Sequence, residues 1–179
     1  MGLIIESGNG NGEQASIKQN RLDVSAKTNG RAAYVSKENG TCFLWTHAYN
    51  YTGVDTILWL TNTSTTKNLY IENIRISSDT ATQFTVHSPA YTAPTGTIVT
   101  GVNTNRTSGN TADALCYGNE TNNSQTTIFV QGLFGANGLN TLPVDGKIIL
   151  GYHDCIAVDL VTTGGMGIVT FVGYYEDRE

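Results

Sequence analysis

Three histidines, His47, His87 and His153, are the side chains of this sequence suited to general-base work near neutral pH. His47 lies beside Trp45 and Tyr49, and His87 lies near Pro89. His153, in Tyr152-His153-Asp154-Cys155, alone has a nucleophile and a carboxylate close in sequence. On a strand, neighbouring side chains point to opposite faces, so His153 and Asp154 would not form a dyad. In a loop, His153 and Cys155 could hold a metal, but two ligands fall short of a site. A turn or hydrogen-bonded histidine is the simpler reading.

Other chemical patterns fail sooner. Gly8-Asn9-Gly10-Asn11-Gly12 lacks the preceding strand and following helix that a phosphate or dinucleotide loop needs. The sequence has no Gly-x-Ser-x-Gly elbow, no His-Glu-x-x-His and no Cys-x-x-Cys. Paired glycosidase carboxylates leave no sequence signature, yet the acids here lie mostly in turns and in the closing Glu176-Asp177-Arg178-Glu179. The expectation is a protein with no catalytic residue, no metal and no cofactor. Trp45, Tyr49, Tyr51 and Tyr91 sit in polar segments and could form a sugar-binding platform or a subunit contact. Core packing or an interface is the plainer reading of those four.

The elements that must position these residues are strands. Only 14% of the 179 residues are charged, and Thr, Asn, Ser and 20 Gly carry the polar balance instead. β-Branched Thr favours strands, Asn and Gly favour turns, and no long Ala/Leu/Glu/Lys run exists to make a long helix. Strand signals recur from Thr41 onward at sandwich spacing. They include Thr56–Leu60, Leu69–Ile76, Gln83–Val86, Thr97–Thr100, Ala114–Tyr117, Thr127–Val130, Lys147–Leu150 and Cys155–Val161. Ile74 and Ile76 fall out of step with Leu69 and Ile71, which predicts a β-bulge near Asn73. Gly164-Gly165 predicts a hairpin between Cys155–Val161 and Ile168–Tyr175. The fold class is all-β: a jelly-roll-like antiparallel β-sandwich of about eight strands.

Residues 1–40 read differently, as an extended N-terminal arm before a body at 41–179. Alternate glycines and the sparse Leu3, Ile4, Ile5, Ile17, Leu22 and Val24 cannot build a core of their own. These six are the expected interface residues of an arm that orders on a neighbouring surface. The net charge of −5 gives no electrostatic basis for binding nucleic acid. No apolar run is long enough for a membrane helix, and the start lacks the pattern of a signal peptide. Cys42, Cys116 and Cys155 are expected to be buried free thiols in a chain made in a cytoplasm.

Glu6-Ser7-Gly8-Asn9-Gly10-Asn11-Gly12, then Ala15-Ser16-Ile17 and Asn20-Arg21-Leu22-Asp23-Val24, resemble the opening of many tailed-bacteriophage virion proteins. Glu38-Asn39-Gly40 and Asp55–Ser64, a strand ending in an Asn-Thr-Ser turn, resemble the same group. The resemblance covers about the first third of the chain. It implies a non-enzymatic structural protein that decorates or cements the capsid and is located in the virion. The family offers no catalytic residues to carry over. The implied partners are the major capsid or other virion proteins and the chain itself, as a homotrimer, with no nucleic acid and no membrane. A tail, collar or fibre component and a lectin-like receptor-recognition module remain the alternatives.

Overall fold

The computed structural model describes residues 16–18, 21–23, 31–120, 125–161 and 164–178. Two compact units divide the chain, Met1–Gly30 and Arg31–Glu179. In the first, β1 (Ser16–Lys18) and β2 (Arg21–Asp23) pair antiparallel with Ile17 opposite Leu22. Leu3, Ile4, Ile5 and Val24 lie outside the described residues.

The second unit opens with a helix, α1 (Arg31–Glu38), which corrects the boundary expected at residue 40. Its Ala32 and Ala33 favour helix, Lys37 sits in the last turn, and Gly40 at φ 60° allows the chain to leave. Val35 is fully buried and packs with Cys42, Val172 and Tyr174. Residues 31–40 therefore belong to the body.

Among the described residues, eleven strands follow. They are β3 (Cys42–Tyr51), β4 (Asp55–Asn62), β5 (Lys67–Ser78), β6 (Thr82–Ser88), β7 (Thr97–Ile98) and β8 (Val102–Asn103). Then come β9 (Ala114–Glu120), β10 (Thr127–Phe134), β11 (Gly138–Leu150), β12 (Cys155–Leu160) and β13 (Gly165–Asp177). One sheet has the order β10-β6-β12-β4-β9-β7 and the other β11-β5-β13-β3-β8. Leaving out the inserted β7–β9, the pairs β3:β13, β4:β12, β5:β11 and β6:β10 nest one inside the next. That is a two-stranded ribbon folded over on itself, the connectivity of a jelly roll. The expected sandwich of eight principal strands is the observed one.

Period-two alternation makes the core. Phe43, Trp45 and Tyr51 of β3 turn inward to meet Ile57, Leu58, Leu60, Ile156, Val158 and Leu160 of the facing sheet. The bulge expected near Asn73 is present: β13 runs from Val172 opposite Asn73 to Gly173 opposite Ile71, leaving Glu72 unmatched. Asn62 is fully buried, and its side chain donates to the carbonyls of Lys67 and Leu150 while accepting from the Ser64 N–H. It thereby fixes the β4–β5 turn.

One expectation needs correction. β12 and β13 do not form a hairpin, because β12 lies between β6 and β4 while β13 lies between β5 and β3 in the other sheet. Gly164 and Gly165, at φ 83° and 154°, carry the chain across the sandwich instead.

The inserted segment caps one side of the sandwich, where β9 extends the first sheet along β4 and β8 extends the second along β3. Nothing equivalent among the described residues covers the opposite side. There β10 and β11 end their respective sheets.

All three cysteines are buried and unbridged, each with its thiol pushed above the ordinary range by burial. Native protein should therefore react slowly with a thiol reagent, and all three should titrate once it is denatured without reductant. Fewer than three would reveal a disulfide.

Candidate functional site

The histidine–carboxylate contact in this structure is not at His153. His87 Nε2 lies 3.0 Å from Asp159 Oδ1, with the two side chains 0% and 4% exposed. β6 and β12 run side by side, with Ala157 opposite His87 and Asp159 opposite Thr85, which brings the pair together on the sheet's outer face. Asp159 also accepts from Thr56 Oγ1 at 2.6 Å and from Gln125 Nε2 at 2.7 Å. The His87 approach lies off the direction a good hydrogen bond requires, so the contact counts as polar proximity alone. A catalytic base must reach the proton that it abstracts. His87 cannot, because it is fully buried, and Asp159 is held in place by Thr56 and Gln125. The cluster braces the sheet.

Sequence reasoning missed this pair because its residues lie on strands distant in the chain. The local candidates fare no better as catalysts. His153 takes φ 65° in a turn closed by the Asp154 N–H donating to the Gly151 carbonyl, while Asp154 accepts from the Gly151 N–H. The Cys155 thiol is buried, points to the His153 carbonyl at 3.4 Å, and is held in its protonated form. Among the described residues, no group of three His, Cys, Asp or Glu could hold a metal. Glu120, a second buried acid, accepts from the Thr95 and Gly96 N–H groups and ties that loop to β9.

The four aromatics proposed as a ligand platform are not one surface. Trp45 is fully buried in the core, and Tyr51 is buried with its hydroxyl bonded to Ser78 and Thr80. Tyr49 packs partly buried against the same core. His47, between them on β3, lies against Gly118, where any Cβ would clash with its ring, and burial holds it below the ordinary histidine range. Of the four, Tyr91 is the most open to solvent; its ring stacks on His153 at 4.3 Å between centroids, and Tyr152 stacks on the same imidazole at 3.8 Å. The segment Cys42–Tyr51 is a strand whose inward residues are the aromatic ones. The alternation Phe43, Trp45, His47, Tyr49, Tyr51 against Leu44, Thr46, Ala48, Asn50 was the signal for it.

The most exposed apolar surface lies on the uncapped side. Ile128, Phe129, Val130 and Leu133 of β10 are 47%, 40%, 40% and 80% exposed. Between β10 and β11 the sandwich gapes into a groove of about 370 Å³, reaching Ile74 and Val86 and walled by Phe129, Leu142, Val144 and Ile148. β10 carries no charge and no proline along its eight residues. β11 has Pro143, Asp145 and Lys147, and its register shifts between Pro143 and Ile148.

No family model, curated protein or solved structure matches this chain. The described residues offer three features: a buried polar brace, a small aromatic turn and an open apolar edge. Of the three, only the edge has the extent and chemistry of a macromolecular contact.

Proposed function

We propose that this protein is a non-enzymatic structural component of a tailed-phage particle, decorating or cementing its shell. The jelly roll is the rigid body, and residues 1–30 are the arm that anchors it on the major capsid protein or another virion protein. The uncapped β10/β11 side carries this reading. A freely acting enzyme or transport protein gains nothing from a bare strand edge lined with large apolar residues, and such an edge is a hazard unless a subunit covers it. A protein that works in many copies has a use for it. The low charge fits the same purpose, since few ions must be desolvated when subunits pack.

The jelly roll recurs in viral capsid proteins and in lectins, so the architecture favours neither by itself. The exposed Tyr91–His153–Tyr152 stack is the feature that favours a receptor-recognition role at a tail or fibre. A low-resolution density map of the intact particle distinguishes the two. Decoration predicts repeated copies of the body across the head shell. Density confined to the tail would support the second reading, and a particle with no place for the chain would overturn both.

A further inference from the structure

We infer that the β10 edge is closed by the β10 edge of a second copy of this chain, paired antiparallel about a two-fold axis. The inference rests on reading this side as an assembly surface, and it names the occupant.

Two strands end their sheets on the uncapped side, and only one is defended. Native edges are protected by proline, charge and bulges. β11 has all three, in Pro143, Asp145 and Lys147 and in the register break before Ile148. β10 has no charge and no proline, and its one register shift, between Ile128 and Val130, leaves the five residues from Val130 to Phe134 in regular pairing with β6. The pairing-competent edge is therefore β10. An identical strand meets it antiparallel when a two-fold axis stands perpendicular to the sheet. Inward and outward faces are then preserved across the axis. Centred on Gly132, such a pairing sets Val130 opposite Phe134 and Gln131 opposite Leu133. The register with β6 puts Val130 and Phe134 on one face and Gln131 and Leu133 on the other.

Area and charge agree with a second copy. Ile128, Phe129, Val130 and Leu133 present on the order of 400 Å² of exposed side chain, about half of the ~800 Å² per partner that a specific interface buries. The β10 backbone and the apolar lip of the groove supply further area. The charges on that lip, Asp145 and Lys147, are exposed and opposite in sign. A surface carrying one of each is complementary to itself, whereas two chains of net charge −5 repel elsewhere.

The test is the mass of the full chain in solution at micromolar concentration, by analytical ultracentrifugation, with and without Leu133→Lys. Leu133 is 80% exposed, so the variant should fold, with a melting temperature lowered only by the loss of the second copy. Wild type should sediment as a dimer of the 19.2 kDa chain and L133K as a monomer. Hydrogen exchange gives the second readout: the β10 amides that point away from β6 should be protected in the wild type and exchange fast in L133K. A trimer, or a dimer that L133K leaves intact, would overturn the proposal. A wild-type monomer would do so too, and protection of those same amides in it would point to the chain's own residues 1–30 as the cover. No particle is involved, so loss of the virion reading would leave this result standing, and the reverse also holds.

Discussion

Replacing Trp45 with alanine should destabilise the whole body by about 3–5 kcal/mol, as expected for truncating a fully buried tryptophan. The indole is 0% exposed, packs with Phe43 at 6.0 Å between ring centroids, and lies so close to Gly101 that a Cβ there would meet Nε1 at 2.6 Å. Domains of this size have stabilities of roughly 5–15 kcal/mol, so the loss is a large share of the total. Thermal unfolding should shift down by on the order of 10 °C, at about 2–4 °C per kcal/mol for a chain of this length. Tyr91→Ala is the matching control, because its ring is 43% exposed and should cost little stability. A Trp45→Ala protein that melts like the wild type would contradict the placement of this residue in the core.

The contrast between these two aromatics shows what was legible in the chain. Ile156, Val158 and Leu160 alternate with Ala157 and Asp159, and that period of two is a local fact which the core repeats. The Glu72 bulge was legible for the same reason, since a slipped period shows inside one strand. For Trp45 and Tyr51 core packing was the plainer reading but a ligand platform stayed open, because Thr46, Ala48 and Asn50 between them are the outward half of one strand; their burial decides for the core. The Gly164-Gly165 turn misled differently. Glycines with positive φ mark where a chain reverses, and a reversal within a sheet looks the same in sequence as a crossing between sheets. Deciding between them needs the nested pairing of β3 with β13 and β4 with β12, which no local window contains. The His87–Asp159 contact and the bare β10 edge are likewise products of topology. Thr127–Val130 was readable as a strand, but not as the last strand of its sheet.

The arm carries the proposed attachment, and its removal should have the second large effect. Among the described residues, the three apolar clusters lie within Arg31–Glu179. Ordering an arm costs about 1–2 kcal/mol per residue in backbone entropy, which a partner surface must offset. Backbone strand addition and burial of Leu3, Ile4, Ile5, Ile17, Leu22 and Val24 against that partner would supply the offset. The decisive measurement is the number of copies retained by gradient-purified particles, for the full chain and for the chain lacking residues 1–30. The account predicts stoichiometric retention of the full chain. It also predicts near-complete loss of the shortened one, with that protein's melting temperature within a few degrees of the wild type. Wild-type occupancy by the shortened protein would place attachment on the jelly roll and contradict the account.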